Sequence, residues 1–423
     1  MLQLQVLRQD IKAVKDKLAI KNFSETGLVD EIISLDDERK KIQAESDALL
    51  AKVNAASKEI GMLMGKGQKE EAEKKKAEVA SIKNLIQPLA DKMAETEKLL
   101  TDKLVLLPNL PSEKVPPGKT PADNIVVREG GSKRQLSKDA VPHWDLIKKY
   151  DIVDFETGAK ITGSGFPLYK GKGAKLQRAL IQYFLDFNTA AGYTEYLPPL
   201  MVNETTAFGT GQLPDKEGQM YYMPEDKFYM IPTSEVPVTN IYRDQILKEN
   251  DLPVKMTAFS PCFRREAGSF GKDVRGLNRV HQFDKVEVVQ IVHPEKSYDV
   301  LDEMVNHVEK LLNTLELPYR ILKLCGGDMS FASALTYDFE VYSAAQKKWL
   351  EVSSVSNFET FQTNRMKIRF KDADGKTKLV HSLNGSSLAL PRIVACLLEN
   401  NQTEKGINLP AVLHSYFGAD LLN

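Results

Sequence analysis

The chain has 423 residues, 42% of them hydrophobic and 27% charged, with a net charge of −1. That length implies two or three domains, and the balanced charge excludes a polycation, so a nucleic-acid partner would need a local basic surface. No run of about 18 apolar residues is present, and the first residues lack the basic start and apolar core of a signal peptide, so a cytoplasmic protein with no membrane span is expected.

The first hundred residues have a texture of their own. Leu28, Leu35, Ile42, Leu49, Ala56 and Leu63 recur every seven, interleaved with Ile32, Arg39, Ser46, Val53 and Ile60. This is heptad spacing. Gly65, Lys66 and Gly67 break it. A second run follows with Ala72, Val79, Ile86, Met93 and Leu100, partnered by Ile82 and Leu89. Two helices of similar length joined by a short turn predict an antiparallel coiled-coil arm over residues 28–104, each helix roughly 50–55 Å long. The alternative is a dimerisation coil, but one chain already supplies both strands. Pro88 predicts a bend rather than an end. Lys66, Lys69, Lys74, Lys75, Lys76 and Lys83 make the tip mildly basic against Glu70, Glu71, Glu73 and Glu78. Such a run is either a solvated face or an RNA contact.

Prolines at 108, 111, 116, 117 and 121 mark a stiff linker. Domain boundaries are therefore expected at 1–107 and 108–423. Beyond the linker the pattern is α+β. An amphipathic helix over residues 175–189 feeds a strand over 193–202 that contains Pro199. Strands follow at 228–232, 254–266, 281–292, 334–343 and 349–356, with a helix at 297–314. Consecutive strands without regular helical crossovers favour an antiparallel sheet. Neither a Walker A loop nor a dinucleotide fingerprint occurs. Cys262, Cys325 and Cys396 stand at no metal-ligand spacing, nor do the six histidines, so reduced core thiols and no zinc are expected.

Several clusters could carry chemistry. Thr233, Ser234 and Glu235 follow a short strand; a hydroxyl and a carboxylate there can orient an ammonium group, or the same residues can cap a helix. Residues 262–287 read as a hairpin. Alternation puts Arg264 and Glu266 on one face of the entering strand, with Arg265 on the other, and Phe283 with Glu287 on one face of the returning strand. The loop between them, from Ala267 to about Val280, is rich in glycine and basic residues. Cations, an aromatic ring and carboxylates on one surface suit a phosphate, a flat base and an ammonium group. Near the C-terminus, Asn384 and Gly385 predict a turn, with Ser386 or Ser387 capping the helix that follows. Arg392 would lie near that helix N-terminus, a favourable place for a polyphosphate.

The hairpin at 259–287 closely resembles the second signature motif of class II aminoacyl-tRNA synthetases. The helix and strand at 175–202 resemble the first motif, and residues 381–400 the third. The Thr233–Ser234–Glu235 loop and the proline linker resemble the seryl-tRNA synthetase family in particular, over nearly the whole chain. The resemblance implies an ATP-dependent aminoacyl-tRNA ligase with a class II antiparallel catalytic domain flanked by helices, a homodimer built on the first motif, and a tRNA-binding arm. It implies L-serine, ATP and tRNA(Ser) as substrates, and tRNA(Sec) where the host carries one. By the same resemblance, Arg264 bridges the serine carboxylate and the α-phosphate, and Arg392 holds the γ-phosphate. Phe283 stacks on adenine and Glu266 accepts from its amino group, within a nucleotide segment spanning Arg265 and Val280. Glu351, Val352, Ser353 and Ser354 meet ATP, with Glu351 and Ser354 holding Mg²⁺. Thr233, Ser234, Glu235, Arg264, Glu287 and Ser386 contact serine. A synthetase-like protein without catalysis and a coiled-coil scaffold are the rival readings; the presence of Arg264, Glu351 and Arg392 speaks against the first, and the long body that carries three motifs in order speaks against the second.

Overall fold

A computed structural model describes residues 1–267 and 275–423. The chain forms two compact units, one of residues 2–19 and 23–108, the other of Met1, residues 20–22 and 109–423.

In the first unit, two short helices, Leu4–Gln9 and Ile11–Ile20, precede α1 (Leu28–Gly65) and α2 (Lys69–Leu104). The heptad positions turn inward. Leu28, Ile32, Ile42, Val53 and Ala56 are buried on α1, and Ala72, Val79 and Leu100 on α2. Val53, Ala56 and Val79 form a cluster joined by Ile60, Ile82 and Ile86. The connection is a Schellman turn, with Gln68 N–H donating to Leu63 O and Gly67 N–H to Met64 O. Gly67 takes the left-handed conformation this turn needs, φ +78°. The second helix continues through Pro88. Asp36, which no heptad rule singles out, is buried at the base of the coil with Arg8, Arg39 and Lys40 within 2.7–2.9 Å.

The second unit is built on an eight-stranded sheet. Its strands are β1 (Ile125–Gly130), β2 (Thr194–Tyr196), β3 (Val254–Phe263), β4 (Gln282–Val292), β5 (Tyr319–Lys323), β6 (Leu335–Ser343), β7 (Lys348–Glu359) and β8 (His381–Ala389). The order is β1-β5-β6-β7-β8-β4-β3-β2, antiparallel except for β2 against β3. Five helices bear on the argument: α3 (Lys172–Ala190), α4 (Glu235–Asn240), α5 (Ser297–Thr314), α6 (Phe361–Met366) and α7 (Leu390–Asn400). One apolar core joins Leu176, Leu180 and Phe184 of α3, Leu301, Met304 and Val308 of α5, and Ile393, Val394 and Leu397 of α7. Their counterparts on the sheet include Val286 and Val288 of β4, Phe339 of β6 and Leu383 of β8. Strand alternation then leaves Phe283, Lys285 and Glu287 on the other face.

Three local expectations are corrected. The entering strand of the hairpin ends at Phe263, so Arg264, Arg265 and Glu266 lie beyond it. The Arg264 amide still bonds to His281 O in the register of β3 and β4, but the His281 amide turns to Gly165 O, the Arg265 amide bonds to Gln219 O, and Glu266 takes φ +50°; strand alternation therefore does not carry on to Arg265 and Glu266. Residues 268–274 of the basic loop lie outside the described residues. Asn384 and Gly385 make no turn but sit inside β8, because β8 is wedged between β4 and β7. A Cβ on Gly385 would stand 3.0 Å from Val355, so glycine here permits close strand packing. The helix consequently begins at Leu390 after Ala389, and neither Ser386 nor Ser387 caps it. The strand foreseen at 193–202 is split, residues 194–196 joining the large sheet and Met201–Asn203 a small one, with Pro198 and Pro199 between them.

Candidate active site

The site face of β4 brings Lys285 and Glu287 together. They are two residues apart and therefore on one side, with Nζ 2.5 Å from Oε2 and both side chains almost wholly buried. Thr233 Oγ1 donates to the same Oε2 at 3.2 Å. Both contacts to Glu287 fall on one oxygen, which leaves Oε1 for a ligand. Ser386 of β8 stands directly opposite Glu287 in register.

The segment holding Thr233 is pinned by its neighbours. Ile231 N–H donates to Leu200 O, and Phe263 N–H to Ile231 O. Ser234 turns away and donates to Ala258 O at 3.4 Å, so it anchors the segment to β3. Glu235 opens α4 and is buried. Its Oε1 accepts from Gln362 Nε2 at 2.7 Å, and Gln362 Oε1 accepts from Ser382 at 2.7 Å. Burial and the neighbouring Glu287 carboxylate push Glu235 up to about 7, against the pull of Gln362, Lys285 and Asn384. Two buried carboxylates facing one lysine leave a net demand for positive charge. A ligand ammonium is one group that would meet it.

Arg264 sits beside this pocket. Its Nε donates to Pro232 O at 3.3 Å, and its guanidinium lies over the Phe283 ring, 5.2 Å from the centroid. Arg265 lies over Tyr221 instead. Glu266 pairs with Arg279 at 2.9 Å. Val280 and Val352 are buried apolar residues.

A second cluster forms where β6, β7 and α7 meet. Arg392 Nη1 donates to Glu351 O at 2.7 Å and lies 3.6 Å from its carboxylate, while Nε donates to Asn278 O at 3.0 Å. Ser353 Oγ donates to Ser386 O at 2.6 Å, tying β7 to β8. Ser354 pairs in register with Asp338, whose carboxylate accepts from it. Asp338 Oδ1 is buried without a partner, and burial together with the Glu351 carboxylate pushes the group well up. No three His, Cys, Asp or Glu side chains gather as a metal site among the described residues. Glu351, Ser354 and Asp338 nevertheless offer only oxygen donors, one of them unpaired, which suits Mg²⁺ shared with phosphate oxygens.

The foreseen residues thus group as Thr233, Glu235, Glu287 and Ser386 in one pocket, Glu351, Ser354 and Arg392 in the other, and Arg264 with Phe283 at the hairpin. Four others escaped the sequence reading. Lys285 was recoverable from the alternation that gave Phe283 and Glu287. Asp338, Gln362 and Asn384 reach the site only through pairing across the sheet or between elements, and no local pattern marks them.

Comparisons with known proteins place the whole chain in a family. Residues 1–111 match the family model of the seryl-tRNA synthetase N-terminal domain, and residues 221–401 that of the class II tRNA synthetase core domain (G, H, P, S and T). A serine–tRNA ligase of Salinibacter ruber is 49% identical over 420 residues, covering 99% of this chain and 98% of its own. One from Neisseria gonorrhoeae is 47% identical with the same coverage. The crystal structure of seryl-tRNA synthetase from Pyrococcus horikoshii complexed with ATP superposes with a TM-score of 0.92 at 33% identity, covering 100% of this chain and 99% of that one. Full-length identity, matched domains at both ends and the shared fold lead to one conclusion: the chain belongs to the seryl-tRNA synthetase family.

Proposed function

We propose that the chain charges tRNA(Ser) with L-serine in two steps at the site above. The serine carboxylate attacks the α-phosphorus of ATP, giving seryl-adenylate and pyrophosphate. The 3′-terminal ribose hydroxyl of tRNA then attacks the acyl carbon, giving seryl-tRNA and AMP. The observation that carries this reading is the buried cluster of Thr233, Glu235, Lys285 and Glu287 beside Arg264. It wants an ammonium on one side and offers a guanidinium to a carboxylate on the other.

Attack of an anion on an anion needs neutralisation and alignment rather than a strong base. Arg264 bridges the serine carboxylate and the α-phosphate. Arg392 holds the γ-phosphate. Phe283 stacks on the adenine, and Glu266 accepts from its amino group after releasing Arg279. Arg265, Val280, Val352 and Ser353 line the nucleotide segment. Glu351 and Ser354, with Asp338 behind them, would hold Mg²⁺, which neutralises phosphate charge when bound. Glu235 and Thr233 receive the serine ammonium, Ser234 secures that segment, and Glu287 with Ser386 receives the hydroxyl. A site built for a hydroxyl leaves buried groups unpaired when alanine enters, which allows discrimination of about 10⁴-fold or more.

The reading extends to residues 1–107 as the tRNA-binding domain and 108–423 as the catalytic domain, to a homodimer built on the helix and strand at 175–202, and to a cytoplasmic location. tRNA(Sec) joins the substrates where the host has one. No described helix is long and apolar enough to cross a membrane. The test is serine-dependent exchange of labelled pyrophosphate into ATP. The protein should exchange with serine and not with alanine, and Arg264→Ala should lower the rate by about 10²–10³-fold. Exchange that ignores serine would overturn the reading.

A further inference from the structure

One buried histidine has no part in the chemistry above, yet it touches the elements that carry it. His143 is fully buried at the start of the helix His143–Lys149. Its Nε2 accepts from Leu277 N–H at 2.9 Å. That bond fixes the proton on Nδ1, which donates to Glu399 Oε1 at 2.7 Å. The His143 backbone N–H donates to the same oxygen at 3.0 Å, and Ser343 donates to the other. Gln346 Nε2 adds a third bond to Oε1 at 2.8 Å. Its Oε1 in turn accepts from Asn278 Nδ2 at 2.9 Å, and Asn278 O accepts Arg392 Nε.

The network therefore grips residues 275–280 at several points just before they enter β4. Gly276 holds φ +64° directly against the imidazole, where a Cβ would stand 2.4 Å from Nε2. Arg275 lies over the ring of Trp144, the neighbour of His143, at 4.5 Å. Glu399 and Arg392 share α7 and are seven residues, about two turns, apart, so one helix face presents both ends of the chain of bonds.

We propose that His143, acting through Glu399 and Gln346, is a positioning residue for ATP, fixing residues 275–280 and, through the Asn278 carbonyl, the aim of the Arg392 guanidinium. The inference rests on the ATP site proposed above. Removing the imidazole loosens the carbonyl that orients Arg392 while leaving Thr233, Glu235, Lys285 and Glu287 untouched. The effect falls on nucleotide use and spares serine.

The experiment is pyrophosphate exchange by the full-length protein with ATP and serine varied in turn. For His143→Leu the KM for ATP should rise about tenfold or more, the effect of a small misplacement, with the KM for serine within about twofold. His143→Gln, which can still accept from Leu277 N–H, should recover part of the loss. In an Arg392→Lys background, which has already lost the Nε bond to Asn278, His143→Leu should add less than about twofold, because coupled residues are not additive. Equal rises in both KM values, or a full multiplicative effect in the Arg392→Lys background, would overturn the proposal. If His143→Leu fails to fold, Gln346→Ala decides by the same split, since it cuts the link between Asn278 and Glu399 from a half-buried position. A parent protein without serine-dependent exchange would remove the ATP site and this inference together; a parent that exchanges beside unaffected variants removes the inference alone.

Discussion

The helical arm and the catalytic sheet are both antiparallel assemblies, but they use charge in opposite ways. Across the arm, Glu38 meets Lys92 at 2.7 Å, Glu31 meets Lys103 at 2.8 Å, and Glu59 meets Lys75 at 3.1 Å, with each side chain a third or more exposed. Water screens such pairs, and the apolar seam holds the helices together. In the sheet unit, Lys285 and Glu287 meet at 2.5 Å with almost no exposure. Their desolvation is costly unless each keeps its partner, and a buried pair is weak evidence for stability. The difference teaches where to look for function: the arm's charges lie in water and set its surface, whereas the buried charges of the sheet unit are held out of water, where a charged partner counts most. Asp36 is the arm's exception. Burial would push its carboxyl up, yet Lys40, Arg39 and Arg8 bring it down to about 2, so it behaves as a structural ion cluster rather than an unmet demand.

The comparison breaks most visibly if the arm is shortened. Deleting residues 42–89 and closing the gap with a short flexible linker removes the outer coil and the basic tip but keeps Asp36 with Arg8 at the base. Serine-dependent exchange should survive, and charging of tRNA(Ser) should fall by about 10²-fold or more, the scale expected when several phosphate contacts are lost. The two activities are measured on the same protein; full charging would show the coil to be a structural appendage. In the parent, tRNA affinity should weaken as salt rises.

Next in size is Glu287→Ala, which removes the carboxylate on which Thr233 and Lys285 converge. Loss of a charged hydrogen-bond partner at a buried site costs about 1.5–3 kcal/mol. A serine titration in the exchange assay should show the loss in kcat/KM for serine, with the KM for ATP unchanged. A parental serine KM and turnover would remove Glu287 from the serine pocket.

A smaller effect sharpens the comparison through pH. Glu235 titrates near 4.5 when unfolded and at about 7 when folded, chiefly because it is buried. An acid whose pKa is raised by folding contributes stability that is fully present below its unfolded pKa and is lost as pH rises through the folded one. Glu235→Gln should therefore raise Tm at about pH 8 relative to the parent, and this advantage should vanish by about pH 4. The ammonium of serine needs the ionised form, so the KM for serine should climb as pH falls below about 7 and flatten in Glu235→Gln. A parental KM with no inflection in that range would separate Glu235 from ammonium binding.

The smallest expected effect is at Lys92, whose pair with Glu38 is exposed. Lys92→Ala should leave Tm and exchange unchanged. A clear loss of Tm would mean that the arm relies on its ion pairs as the pocket does.

How far the sequence could be read follows the same division. The arm was legible almost residue by residue, because a coiled coil is written in local periodicity. The heptad positions from Leu28 to Leu100 face inward, and the glycines at 65 and 67 end one helix and make the turn. The antiparallel sheet was also legible as a class, since strands followed one another without crossover helices. So was the pocket side of β4, since Phe283, Lys285 and Glu287 obey a two-residue period on a single strand. Tertiary structure decided what that period cannot reach. Arg264 lost its strand because the ladder is only half made there: its amide still bonds to His281 O, but the His281 amide turns away to Gly165 O. Asn384 and Gly385, a turn by local chemistry, became part of a central strand because β4 and β7 pair with its two edges. The Ser234 hydroxyl found its partner at Ala258 O, and Asp338, Gln362 and His143 acquired partners on other elements. Local order specifies which residues share a face; only the packed sheet and its helices specify which faces meet.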